Sequence, residues 1–335
     1  MKNNSSKQNI SVLGCGRWGS FHAWYQAEIL KHNVLLWGIK DDPCIVNLQQ
    51  TRKNNYLELP QSIQLSDDLE QSLNHADHII IAISAQGMKS FAENIGKHNP
   101  KNKTFILCMK GICEDTGERL SEILKAHIDN SNKICVWVGP GHVQDFLSGQ
   151  PGVMIIASED KDVAMNIAHK FASDLIKLYV GCDLTGAEIG AAAKNVLGIA
   201  AGMLEGARAP TLKGALMARG AYEISKLITA MGGDKMTAYG LSHLGDFEAT
   251  IFSAHSHNRS YGVELMRSLG EGRDPQGIGL AEGISTSKSL MILAKKHNVD
   301  MPICTLVYQI LHEGKSPKDG FKEIFLRSHS EEFRY

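Results

Sequence analysis

The segment Gly14-Cys15-Gly16-Arg17-Trp18-Gly19 constrains this chain more than any other, because it follows the apolar run Ile10 to Leu13 directly and opens an amphipathic stretch. The first glycine permits a tight turn, the second lets backbone approach a pyrophosphate, and the third lets helix and strand pack closely, with the helix N-terminus facing the anion. A second apolar run, Val34 to Ile39, ends where such a unit reads the ribose. Gly14, Gly16 and Gly19 therefore predict a dinucleotide site. At the second run's end stand Lys40, Asp41 and Asp42. The cation suits a 2′-phosphate and tilts the expectation from NADH towards NADPH, while the two aspartates remain able to serve NADH or to start a turn.

Further short apolar runs follow at His78 to Ile83, Thr104 to Met109, Ile134 to Val138, Val153 to Ala157 and Ile176 to Val180, alternating with helical stretches. That alternation predicts crossover connections and a mostly parallel, doubly wound sheet. Ile79-Ile80-Ile81-Ala82-Ile83 shows no polar alternation, as expected of a strand covered on both faces. After Cys182 the texture becomes helical, with apolar periods such as Leu212, Leu216, Ile224, Leu227, Ile228 and Met231. The predicted fold is an α/β Rossmann-like domain over 1–183 followed by an all-α domain over 184–335, with the tail 328–335 frayed.

A net charge of −1 over 335 residues leaves no field to recruit nucleic acid or an anionic membrane, so an anionic ligand must be captured locally. Seven scattered cysteines without a C-x-x-C pair argue for reduced thiols in the cytoplasm and against a zinc site or a disulfide frame. The polar start is not followed by a signal-peptide apolar stretch, and no apolar run is long enough to span a bilayer.

The candidate chemistry centres on Lys194, in Gly186-Ala-Glu-Ile-Gly190-Ala-Ala-Ala-Lys194-Asn195-Val-Leu-Gly198. At 3.6 residues per turn, Gly190, Lys194 and Gly198 share a narrow stripe, open either to another surface or to a small ligand. Burial disfavours a charged lysine and readies it to exchange protons; the bland alternative is a lysine snorkelling to solvent. Lys110 after one strand, Gly139-Pro140-Gly141 after the next, Asp246 in Leu-Gly-Asp, and the polar loop His255-Ser256-His257-Asn258-Arg259 complete a set expected to assemble at the domain seam. Carbonyl reduction fits that set: Lys194 can give the proton, Lys110 can steady developing charge, Asp246 can tune Lys194 or accept a substrate hydroxyl, and Asn258 and Arg259 can hold an anionic group.

These motifs, in this order, resemble those of the NAD(P)-dependent sn-glycerol-3-phosphate dehydrogenases of the bacterial type, over nearly the whole chain to about Ile310. The resemblance implies Lys194 as proton donor and acceptor, with Lys110, Gly139, Gly141, Asn195, Asp246, Thr250, His257, Asn258 and Arg259 on the substrate side. It implies Arg17, Trp18, Lys110, Val143, His257 and Glu282 as cofactor contacts beside the glycines and Lys40, with NADPH or NADH as cofactor. It also implies a small phosphorylated substrate and a homodimer. Departures fall at His257 (usually arginine), at Gly141 (usually serine or threonine), at Phe21 after Gly19-Ser20 (usually alanine) and at Thr211 (usually asparagine or aspartate). Losing a bidentate arginine weakens a phosphate grip, which leaves open a different polyol phosphate or small ketone, or phosphate held by Arg208, Lys213 or Arg259. A β-hydroxyacid dehydrogenase would carry a further asparagine about four residues after the lysine, where Leu197 and Gly198 stand. A non-catalytic nucleotide sensor would have no use for Lys110, Lys194 and Asp246 together.

Overall fold

The computed structural model describes residues 7–253, 256–271, 281–327 and 332. His255 and all of the tail 328–335 except Glu332 lie outside them. The chain divides into two units, Met1–Lys110 with Glu118–Leu184, and Gly111–Gly117 with Thr185–Tyr335.

The first unit carries the sheet, with β1 (Asn9–Leu13), β2 (Asn33–Trp37), β3 (Gln64–Ser66), β4 (His78–Ile81), β5 (Thr104–Leu107), β6 (Lys133–Val138), β7 (Gly152–Ala157) and β8 (Ile176–Gly181). Between them run α1 (Arg17–Trp24), α2 (Pro43–Thr51), α3 (Leu69–His75), α4 (Met88–Lys97), α5 (Leu120–Lys125), α6 (Val143–Leu147) and α7 (Lys161–Phe171). The spatial order is β3-β2-β1-β4-β5-β6-β7-β8. Every neighbouring pair is parallel except β6 and β7. Seven strands stand where apolar runs predict them. β3 escapes prediction because it is three residues long and buries only Ser66. The direction of winding reverses between β1 and β4, which places the turn leaving β1 at the sheet's switch point.

Two departures at the sequence level turn out to be one packing solution. Phe21 on α1 is fully buried and stacks on Phe146 of α6 with ring centroids 5.3 Å apart. A Cβ at residue 141 would lie 2.6 Å from the Phe146 ring, and one at residue 152 would lie 2.5 Å from it. Gly141 and Gly152 therefore leave room for the ring that Phe21 covers. The same aromatic core buries His22, whose ring meets Trp137 at 4.8 Å. Burial alone pushes the His22 pKa down to about 3.

The second unit is helical: α8 (Leu184–Gly206), α9 (Leu212–Ala230), α10 (Asp246–Phe252), α11 (His257–Gly270), α12 (Glu282–His297), α13 (Pro302–His312) and α14 (Pro317–Leu326). From Ala187 to Leu204, α8 is buried on every side. Its glycines are filled by protein: a Cβ at Gly190 would lie 2.7 Å from His243 Cβ, one at Gly198 3.0 Å from the Thr250 methyl, and one at Gly202 2.1 Å from the Arg259 carbonyl oxygen. Of the two options open for the glycine stripe, a packed surface is the one realised. The segment Gly111–Gly117 joins this unit as a strap, with Ile112 buried in its core and Glu114 paired to Lys288 at 2.6 Å.

Phe146→Ala should cost about 3–5 kcal/mol, the usual loss for a buried phenylalanine, read as a lower urea midpoint at unchanged slope. His22 is depressed from its ordinary 6.5, so its share of stability is complete above pH 6.5 and is lost as pH falls towards 3, by at most about 1.4 kcal/mol per pH unit. Urea midpoints measured across that window should fall with acidity, and less steeply in His22→Phe. An equal slope in both proteins would remove His22 from the account.

Candidate functional site

The turn after β1 has the geometry a pyrophosphate needs. Gly14 adopts φ +112° and donates to the Trp37 carbonyl at 2.9 Å, while a Cβ there would lie 2.4 Å from the Ala82 carbonyl oxygen. At Gly19 a Cβ would come within 1.7 Å of the Gly14 carbonyl oxygen, so helix and strand approach to backbone contact. Gly16, which caps α1, is different: nothing lies within 4 Å of a Cβ built there. Two glycines are thus spent on protein contacts and the third is bare on its outer side, with no acidic residue in the first turn of α1 to oppose an anion. These residues fit a dinucleotide.

Around that turn, the Arg17 guanidinium lies 5.6 Å from the Tyr56 ring centroid and the Lys110 ammonium 5.7 Å from that of Trp18. Lys110 also donates to the Gly139 carbonyl at 3.1 Å, which joins the ends of β5 and β6. Lys40 is exposed after β2; Asp41 takes a left-handed φ of +63°, and Asp42 spends its carboxylate capping α2 through the Cys44 amide at 2.8 Å. Asp42 thus closes the turn that begins at Ile39 and caps the helix after it. Val143, expected at the cofactor, is 1% exposed within the core around Phe21 and Phe146, so its side chain offers a ligand nothing.

In the second unit the structure brings the expected proton-transfer group together. Lys194 Nζ donates to Thr250 Oγ1 at 3.0 Å and lies 3.5 Å from Asp246 Oδ1. Thr250 in turn donates to the Asp246 backbone carbonyl at 2.7 Å. Lys194, Asp246 and Thr250 are all buried. This answers the snorkelling alternative: the stem of Lys194 runs inward between two oxygens of α10. Removing either charge would strand the other in a poorly solvated place, at a cost well above that of an exposed pair.

Asn195, Asn258 and Glu282 form a chain of hydrogen bonds. Asn195 donates to Glu282 Oε2 at 3.1 Å and accepts from Asn258 Nδ2 at 2.9 Å, and Asn258 Oδ1 accepts the Gly283 amide at 2.9 Å. These three fix α8, α11 and the start of α12 against one another, with Glu282 exposed at the outer end. Arg259 does not stand ready for an anion: it pairs with Glu205 at 2.8 Å, and Lys213 pairs with the same carboxylate at 2.7 Å. The two cations hold the Glu205 carboxyl below its ordinary range. Arg208 and His257 are exposed, the latter as the first residue of α11.

One residue escaped sequence reasoning, and another, Ser256 of the expected polar loop, has a structural role. His243 is fully buried in a π-helical turn just before Asp246, and its Nδ1 lies 2.8 Å from the Gly190 carbonyl oxygen, one helical turn ahead of Lys194. Burial brings its pKa down to about 4, so the ring is neutral near pH 7 and Nδ1 donates that bond. Ser256 is buried and caps α11 by accepting the Arg259 amide at 3.2 Å. A serine ahead of a helical period was a legible cap; the histidine carried no local signal.

The chain has close relatives over nearly its whole length. Residues 9–164 match the N-terminal family of NAD-dependent glycerol-3-phosphate dehydrogenases and residues 183–322 match its C-terminal family. A glycerol-3-phosphate dehydrogenase [NAD(P)+] of Clostridium botulinum is 33% identical over 330 residues, 96% of this chain and 98% of its own. One of Staphylococcus haemolyticus is 34% identical over 332 residues, 96% and 99% respectively. The crystal structure of a glycerol-3-phosphate dehydrogenase from Coxiella burnetii superposes with a TM-score of 0.86 at 27% identity, covering 96% of this chain and 99% of that one. With both halves matched and the dinucleotide turn and buried lysine in place, the chain belongs to the NAD-dependent glycerol-3-phosphate dehydrogenase family.

Proposed function

We propose that the protein interconverts dihydroxyacetone phosphate and sn-glycerol 3-phosphate with NAD(P)H, and that Lys194 moves the proton. The observation that carries this reading is the buried contact of Lys194 with Asp246 and Thr250, in a chain whose relatives are named for that reaction. When bound, the nicotinamide supplies the hydride. The residues of this chain do the rest. Lys194 Nζ gives a proton to the substrate oxygen in reduction and takes it back in oxidation. Asp246 and Thr250 hold that ammonium in one position, so little reorganisation remains at the moment of transfer. Lys110 and Asp246 contact the substrate, and Gly14, Gly16, Gly19, Arg17 and Trp18 hold the dinucleotide. Exposed Lys40 favours NADPH.

Seven free thiols support a reducing compartment, in keeping with work in the cytoplasm, and among the described residues no helix is long and apolar enough to cross a membrane. The homodimer rests on the family resemblance alone. A second reading keeps the hydride chemistry but changes the substrate to another polyol phosphate or a small ketone. It is favoured by the pairing of Arg259 and Lys213 with Glu205 and by His257 in place of an arginine.

Oxidation of NADH and NADPH with dihydroxyacetone phosphate, run beside dihydroxyacetone and a panel of other keto compounds, separates the two readings. Turnover of the phosphate supports the first, and turnover of another ketone alone supports the second. Lys194→Ala should lower kcat by at least roughly a hundredfold, within the usual contribution of a positioned proton donor, while fluorescence titration shows NADPH binding within about twofold of wild type. Retained turnover would remove Lys194 from its role. His257→Arg should lower KM for the phosphorylated substrate through a bidentate grip on phosphate; an unchanged or higher KM would mean the anion is held by other groups.

A further inference from the structure

Cys15 and Cys44 are 29 residues apart in sequence, and no spacing pattern links them, yet the fold puts their sulfurs beside one carboxylate. Cys15 Sγ, Cys44 Sγ and an oxygen of Asp42 all lie within 4.8 Å of one another. From this geometry we infer that Cys15, Cys44 and Asp42 form a binding site for a thiophilic divalent cation of the zinc class, at the turn after β1.

A tetrahedral zinc site has sulfur ligands at about 2.3 Å, so ligand atoms stand roughly 3.8 Å apart, and the three donors need close by no more than about 1 Å. Two thiolates and a carboxylate select zinc or cadmium over magnesium or calcium, which take oxygen sets. Three protein ligands leave a fourth position for water. Each thiol gives its proton to solvent on ligation. Cys44 now donates its S–H to the Cys15 carbonyl at 3.0 Å, a weak bond that ligation replaces.

The surroundings hold the donors in place. Asp42 Oδ1 accepts the Cys44 amide at 2.8 Å, which fixes carboxylate and cysteine to the same helix end. Cys15 is held through its carbonyl, which also accepts from Ser20 Oγ at 2.9 Å. A Cβ at residue 38 would lie 2.8 Å from Cys15 Sγ, so Gly38 leaves the sulfur its room. Asp42 and Cys44 are half-buried and give an ion its route from solvent, while Cys15 lies beneath them. The site does not depend on which substrate the protein takes.

The test is titration of the reduced, cofactor-free protein with Cd2+, following the thiolate-to-metal charge-transfer band and the bound ion at equilibrium. One ion per chain is expected. Affinity should fall roughly a hundredfold in Cys44→Ala and roughly tenfold in Asp42→Asn, and should stay unchanged when the exposed Cys182 is replaced in Cys182→Ser. Cys44→Ser keeps a donor for the Cys15 carbonyl and should show the same loss, which guards against a Cys44→Ala protein that fails to fold. Uptake that vanishes in Cys182→Ser, or survives at full affinity in Cys44→Ser, overturns the site.

Discussion

The ammonium of Lys194 lies 3.0 Å from a hydroxyl oxygen and 3.5 Å from a carboxylate oxygen, on a helix that is buried from Ala187 to Leu204. A buried cation of this kind is costly unless its partners are already in place. Those partners sit on α10; Gly198 leaves room for the Thr250 methyl, and Gly190 leaves room for His243 in the turn before α10. His243 reinforces the crossing by bonding the Gly190 carbonyl immediately ahead of Asp246. The small residues of α8, the π-helical turn and the ion pair are therefore one arrangement: side chains packed onto bare glycines on either side of Lys194 make a dry place for it.

The parts of the molecule legible in the sequence were those governed by local rules. The Gly14 turn needs glycine at particular spacings whatever surrounds it, and the long apolar strands carry enough buried residues to show their period. β3 did not show because three residues, one of them buried, carry no period. Lys194 could be singled out from its neighbours, but whether its stem turned inward or outward depended on α10, more than 50 residues on. Charges were the least legible. Arg259 and Lys213 look like anion grips in a linear reading, and only the fold shows Glu205 between them.

The same limit applies to the departures from family pattern. Phe21 and Gly141 are 120 positions apart and look like separate losses near a phosphate site. The stacking of Phe21 on Phe146, and the bare backbone of Gly141 beneath that ring, make them a single exchange of bulk within the first unit's core. His257 has no such compensation: it is exposed at the start of α11, and nothing around it accounts for the change by packing. A difference in ligand recognition is better sought there than at residue 141.

The strap Gly111–Gly117 leaves the first unit after β5 and joins the second, where Ile112 enters the apolar core and Glu114 pairs with Lys288 before the chain returns to the sheet. Neither unit is then a continuous stretch of polypeptide. During synthesis, the strap emerges well before the helices that enclose it, so Ile112 must wait, exposed, until α8 and α12 have been made. A protein cut at the obvious place, between the last strand and α8, would separate the helical half from a piece of its own interior.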